Sequence, residues 1–167
     1  MLDKLFFLVL LTFVPVFELR WSIPIGLFSG TINVPFFGAM NGFALPWLIV
    51  FLVCVLANIL LGIIAYFFFD KIISFFLKIK FFDKCYQRVV LRAQRKSKSL
   101  IEKYGFIGLA LFIAIPLPGS GTWTGALVAH LIGFGYKKFF VANVIGVVIA
   151  GIIVTAFSVG LFSLFGF

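Results

Sequence analysis

Acidic residues are scarce in this chain of 167 residues, with five Asp and Glu against fourteen Lys and Arg. Residues 21–69 contain no Asp, Glu, Lys or Arg at all, and neither do 5–17, 104–136 or 139–167. There is one histidine, His130, and two cysteines. Without a Cys/His cluster the chain offers no metal-site pattern. Cys54 lies in an apolar run and Cys85 in a basic one, so they are expected at different depths and not in a disulfide. A Gly-rich phosphate loop, a Ser/His/Asp spacing and a dinucleotide fingerprint are all missing. The expectation is therefore a protein that is not an enzyme and uses no metal or cofactor. Met1-Leu2-Asp3-Lys4 does not make the basic start of a signal peptide, and none is expected.

What fills the chain instead is hydrocarbon. Apolar residues make up 63% of it, charged residues 11%, and the mean hydropathy is +1.25. Soluble domains are nearer half apolar and a quarter charged, so this is read as an all-α polytopic membrane protein. A spanning helix needs about 20 apolar residues. Two stretches supply that, roughly 46–69 after Pro46 and roughly 138–163.

Two other apolar regions are too short to span. Residues 2–14 break at Pro15 and again at Pro24; residues 106–115 break at Pro116-Leu117-Pro118-Gly119-Ser120-Gly121 and resume at about 123–134. Half-length apolar helices around Pro/Gly turns are expected to form re-entrant hairpins, whose non-helical backbone lines a protein-enclosed cavity. The stretch 29–42 carries turn signals at Asn33-Val34-Pro35 and Asn41-Gly42 and is expected near an interface. The predicted architecture is a single membrane domain over 1–167. Repeat one (1–69) is a hairpin plus a span, a basic amphipathic cytoplasmic helix occupies 70–103, and repeat two (104–167) is a second hairpin plus span. Each half crosses the membrane once, so the second is inverted relative to the first.

Ten Lys and Arg between Lys71 and Lys103 face only Asp83 and Glu102. The positive-inside rule puts this segment in the cytoplasm of a bacterial-type inner membrane, with both termini outside. Lys84, Arg88, Arg92 and Arg95 recur at helical spacing and form a cationic stripe. It is read as a surface for anionic lipid headgroups rather than for nucleic acid.

Glu18 and Arg20 are the exceptions to an apolar N-terminal region. An ionised group at the bilayer centre costs roughly 2.5–3.5 kcal/mol, so the two are expected to be paired and to face a polar cavity. The alternative is an ion pair that only fixes the hairpin. A carboxylate in low dielectric can exchange a proton, and a guanidinium offers a planar fork to an anion such as phosphate. Pro24 and Gly26 would shape this side of the cavity. On the other side Pro116, Pro118, Gly119, Ser120, Gly121 and Trp123 form a turn rich in small residues, with Thr122 and Thr124 adding hydroxyls. Freed N–H groups at a half-helix N-terminus attract anions, although a tight turn that lets two hairpins meet explains the same residues. Asn58 and Asn143 lie inside the spans, where interhelical hydrogen bonding is the leading role and cavity lining by Asn58 the lesser one. His130 can relay protons, but a packed neutral histidine is the plainer reading.

At Glu18-Leu19-Arg20-x-x-Ile23-Pro24-Ile25-Gly26 and Pro116-x-Pro118-Gly119-x-Gly121-x-Trp123-x-Gly125 the chain resembles the small multidrug export proteins. That family looks like a distant branch of the DedA-type membrane proteins. Glu102-Lys103-Tyr104-Gly105 fits the same pattern, whereas Trp21-Ser22 and Ala57-Asn58 depart from it. The family name implies drug export; the wider resemblance implies re-entrant hairpins, inverted repeats and movement of polyprenyl or other lipid phosphates coupled to protons. The expected function is a secondary transporter or flippase for an anionic amphipath, with Glu18 responding to protons and Arg20 anchoring the anion. A proton-coupled exporter of cationic drugs is the alternative, and a non-transporting membrane scaffold the third reading. Membrane lipids and a small amphipathic substrate are the expected partners, with a homodimer as one arrangement of the chain.

Overall fold

A computed structural model describes residues 1–15, 17–34, 38–76, 105–116 and 120–165. The basic residues Lys84, Arg88, Arg92 and Arg95 lie outside the described residues, as do Pro118 and Gly119. Of the predicted cytoplasmic helix over 70–103, residues 70–76 instead continue the long helix that begins at Trp47, and the rest lies outside the described residues. The elements in chain order are α1 (Leu2–Phe13), α2 (Glu18–Leu27), β1 (Thr31–Val34), β2 (Gly38–Asn41), α3 (Trp47–Phe76), α4 (Gly105–Ala114), α5 (Thr122–Ile132) and α6 (Tyr136–Phe165). The order is short, short, long, and then short, short, long again.

α3 and α6 each run 30 residues. Their apolar stretches, Trp47–Ile73 and Tyr136–Gly160, have mean hydropathies of 3.0 and 2.5 and are long enough to cross a bilayer. Their outward faces are as apolar as their inward ones. Leu52, Leu56, Leu60 and Ile64 form an exposed stripe on α3, and Ile145, Ile149 and Ile152 do so on α6. A helix apolar all round needs apolar surroundings on every side, and an exposed apolar stripe along both long helices is what a membrane-embedded chain presents to lipid. This is a membrane protein. The two long helices are antiparallel, because Tyr66 stacks on Phe139 at 5.0 Å while Val55 and Phe51 lie against Gly151. They cross closely where Gly62 faces the Asn143 amide.

α1 and α2 fold back on one another as a hairpin. The Thr12 hydroxyl lies 2.9 Å from Ser22 Oγ, Ser22 donates to the Glu18 carbonyl at 2.6 Å, and Gly26 sits under Leu8 and Val50. Pro24 does not break the chain here. α2 runs through it, with Phe28 N–H bonding the Pro24 carbonyl at 2.9 Å, and the reversal falls earlier, around Pro15. One interior proline removes a single N–H bond, which a buried face can tolerate; at Pro15 the short helix has already run out of residues to continue it. The last carbonyls of α2 are satisfied by the returning strand: Phe43 N–H bonds Ile25, and Leu45 N–H bonds Gly26. Between them, 31–41 forms a two-stranded antiparallel hairpin with Thr31 opposite Asn41 and Val34 opposite Gly38. Of the turn signals in that stretch, Asn33 and Val34 fall inside β1 and Asn41 ends β2, so the stretch forms a small β-ribbon on an otherwise helical fold.

α3 serves as a ruler for the depth of everything else. Val50 touches Gly26 at the base of the first hairpin, and Asn58 lies beside Glu18 at its tip. Tyr66 contacts the far end of α5: its hydroxyl donates to the Phe134 carbonyl at 3.0 Å, and its ring stacks on His130 at 4.3 Å. The α1/α2 and α4/α5 pairs therefore approach from opposite ends of α3 and meet tip to tip near Asn58. That level is about 16 Å from Trp47 and about 22 Å from Ile73, close to the middle of the span.

Candidate functional site

The two tips meet through two charged side chains. Glu18 opens α2 with φ +43°, a left-handed conformation that costs a non-glycine residue roughly 1–2 kcal/mol. Its carboxylate is 5% exposed and is aimed at the start of α5. Oε2 accepts from Thr122 N–H and Oε1 from Trp123 N–H, both at 3.2 Å. The N-cap of α5 is Gly121, which has no side chain to cap with, so Glu18, 104 positions before Thr122, performs that task. The pairing is favourable for two reasons. It satisfies two of the orphan N–H groups that begin every helix, and it puts a negative charge at the positive end of the α5 dipole.

Gly121 makes the approach possible. Its φ of +126° is open to glycine alone, and a Cβ there would collide with the Glu18 carboxylate. Arg20, half-buried one position beyond Leu19, reaches the same turn. Its Nη2 donates to the Ser120 carbonyl and lies 3.1 Å from Ser120 Oγ, while Ser120 Oγ donates to the Ile115 carbonyl at 2.6 Å. The expected partnership of Glu18 with Arg20 thus takes a different form. Each charge bonds across to residues 120–123, and together they pin the second turn to α2.

Beneath the charges lies a cavity of about 10 Å³, the size of a single water. Glu18, Arg20 and Asn58 line it with Ile113, Pro116 and Ala150. In this conformation the site is closed to a substrate. Two buried polar atoms next to the charges, Asn58 Oδ1 and Thr122 Oγ1, have no hydrogen-bond partner, and neither has Trp123 Nε1. Such groups are costly to leave unpaired.

Of the residues expected at the site, the fold gathers Glu18, Arg20, Asn58, Pro116, Ser120, Gly121, Thr122 and the backbone of Trp123. The Trp123 ring turns away from the cavity and packs edge-on against Phe68 and Phe69 at 6.0 and 6.1 Å. Gly26 lies at the base of the first hairpin and Pro24 between base and tip, so neither joins the cavity. Thr124 is half-buried on α5. His130 sits on the last turn of α5, about 12 Å along the helix from Thr122, where Nε2 donates to the Tyr66 carbonyl at 2.9 Å. Asn143 lies at the α3/α6 crossing with both amide atoms unpaired. Among the described residues there is no group of three or more His, Cys, Asp or Glu side chains that would hold a metal. The cavity also draws on Ile113, Ala150 and Val154, which look like ordinary span residues in a sequence this apolar.

Residues 18–153 match the family model described as "Putative small multi-drug export protein". The match begins at Glu18 itself and covers most of the chain, so the chain belongs to that family. No curated protein and no solved structure matches it.

Proposed function

We propose that this member of the small multidrug export family is a secondary transporter for amphipathic molecules, with an anionic group of the substrate held at Arg20 and proton coupling carried by Glu18. One observation carries the reading: two charged side chains at mid-depth of a membrane protein hold two half-length helical hairpins together at their tips. Charges at this depth are expensive unless they work or are paired, and here Glu18 is held by two backbone N–H groups and Arg20 by the Ser120 carbonyl and hydroxyl, contacts that can be released. The antiparallel α3 and α6, the repeated short–short–long order and the opposed tips support two inverted repeats with re-entrant hairpins. Lys71, Lys137 and Lys138 fall at the same end of the α3/α6 pair, which supports placing that end in the cytoplasm.

The two charges differ in how they are held. Glu18 is enclosed by two N–H donors, with Asn58 beside it, whereas Arg20 is half-exposed and bonded to neutral oxygens. An incoming anion finds an available guanidinium; an incoming cation would first have to pull Glu18 from the α5 terminus. A protonated carboxyl accepts the Thr122 and Trp123 N–H groups more weakly, so protonation would free α5 and Gly121 to move away from α2. Binding energy then goes into opening a closed 10 Å³ space, which is how a ligand shifts a two-state equilibrium. Export of cationic drugs is the second reading, and the family description favours it.

The test is transfer of a fluorescent short-chain polyprenyl phosphate in proteoliposomes, with and without a pH gradient. Gradient-driven transfer by wild type, lost in both Glu18→Gln and Arg20→Ala, is the expected result. Efflux of a lipophilic cation that needs Glu18 and survives Arg20→Ala would replace it with the drug reading. If a folded wild type moves neither probe, transport itself is wrong.

A further inference from the structure

Two hydroxyls outside the charged cavity hold the backbone of Glu18. That residue opens α2 at φ +43°, and a residue with a side chain relaxes out of this region unless its surroundings keep it there. One turn along α2, Ser22 donates its hydroxyl to the Glu18 carbonyl at 2.6 Å. Behind Ser22, on α1, the Thr12 hydroxyl lies 2.9 Å from Ser22 Oγ and 2.8 Å from the Leu8 carbonyl. Both hydroxyls are fully buried, and Cys54 of α3 lies beside Thr12. Their sequence neighbours Leu11 and Ile23 belong to the apolar core, so no water competes for these bonds.

A serine or threonine inside a helix often bonds the carbonyl four residues before it, here Leu8 for Thr12 and Glu18 for Ser22. Two separate back-bonds of that kind would not explain the third contact, between the hydroxyls themselves. Two hydroxyls carry two protons, and three contacts would need three. Were both protons spent on the carbonyls, two oxygens would face each other at 2.9 Å with no proton between them. The shortest contact is the one at Glu18, which favours the order Thr12 to Ser22 to the Glu18 carbonyl. A hydroxyl that accepts while it donates also donates more strongly. The chain of bonds therefore runs from α1 through Ser22 and ends on the strained residue.

We propose that Ser22, backed by Thr12, is the positioning residue of Glu18 and sets how firmly its carboxylate closes the joint between the hairpins. The two hydroxyls tie the Glu18 carbonyl to α1 and keep φ positive, which keeps the side chain aimed at α5. Released from them, the backbone turns about N–Cα toward the right-handed region and swings the carboxylate off the Thr122 and Trp123 N–H groups. The proposal rests on the role given to Glu18 above, but the contact it concerns can be measured whether or not any substrate moves.

The experiment is amide hydrogen exchange of the purified full-length protein in lipid nanodiscs, read at Thr122 and Trp123. The Phe134 amide, bonded to the Ala129 carbonyl past the other end of α5, is the internal control. Ser22→Ala should speed exchange at Thr122 and Trp123 about two- to tenfold, the worth of one hydrogen bond, and leave Phe134 unchanged. Thr12→Val, which keeps the shape and drops the hydroxyl, should give a smaller rise at the same two amides and carries the test if Ser22→Ala does not fold. Thr12→Ser restores the hydroxyl and should match wild type. In Glu18→Ala, where the cap is gone, adding Ser22→Ala should change neither amide further. Unchanged exchange at Thr122 and Trp123 overturns the proposal. So does a rise at Phe134 as large as theirs, which would be general loosening. Faster exchange confined to the two amides, in a protein that transfers no substrate, upholds the positioning and refutes the transport reading alone.

Discussion

Replacing Gly121 with alanine is the most direct probe of the contact between the two hairpins. Two effects add. The residue holds φ +126°, and forcing a side chain into such a region costs roughly 1–3 kcal/mol. The new Cβ would also meet the Glu18 carboxylate, with Cδ at 3.0 Å and Oε1 at 3.1 Å, and would push it off the Thr122 and Trp123 N–H groups. Hydrogen bonds to a charged group are worth about 1.5–3 kcal/mol each, so displacing even one brings the total to roughly 2.5–6 kcal/mol. Unfolding of the purified protein in detergent, wild type against Gly121→Ala, measures the sum. The two contributions separate in a double-mutant cycle with Glu18→Ala. Once the carboxylate is gone there is nothing to collide with, so adding Gly121→Ala should cost only the backbone strain. If Gly121→Ala costs the same with and without Glu18, the carboxylate does not lie on that turn and the site described above is wrong.

Other positions test other parts of the fold. Gly62→Ala should cost about 1–3 kcal/mol by forcing the α3/α6 crossing apart at Asn143, and Asn143→Ala in the same chain should recover most of it in the same unfolding assay. Tyr66→Phe removes only the bond to the Phe134 carbonyl, so a loss of about 0.5–1.5 kcal/mol is expected; no loss would mean that the hydroxyl is solvated instead. For orientation, Ser29→Cys and Gly135→Cys place thiols at exposed positions near the two opposite hairpin bases. A membrane-impermeant maleimide applied to intact cells should label the first and spare the second, and the reverse pattern would invert the topology.

The sequence makes the large elements legible because hydrophobicity and charge are local properties. Two uninterrupted apolar runs give α3 and α6, and the breaks at Pro15 and at 116–121 mark both short-helix pairs. Pro24 misleads, since a proline's local penalty looks the same whether or not the surrounding helix face is buried enough to absorb it. Glu18 and Arg20 stand out against an uncharged background. Residues 120, 122 and 123 are expected at the same cavity with free N–H groups, but that these groups and Ser120 take Glu18 and Arg20 themselves as partners appears only with the fold. Gly121 shows only as one glycine in a glycine-rich turn; the positive φ that makes it necessary appears with the fold.

The placement of Glu18 argues against a purely architectural role for it. A helix N-terminus can be capped more cheaply by a serine or asparagine in its own chain, at no cost in buried charge or backbone strain. Here α5 has a glycine at that position, and the cap arrives from α2 on a residue held in a left-handed conformation. A fixed joint gains little from this, because the strained Glu18 backbone and the unpaired Asn58, Thr122 and Trp123 atoms all weigh against it. A joint that must open gains a great deal. Its closed state holds because one ion accepts two N–H donors, and a proton or a competing charge can break it without unfolding either hairpin. The same reasoning explains why the unpaired donors matter: Thr122 Oγ1 and Trp123 Nε1 bond to nothing here, a cost that a rearrangement giving them acceptors would remove. Site and strain therefore fit the proposed transport cycle, in which this contact is released, better than a fixed joint.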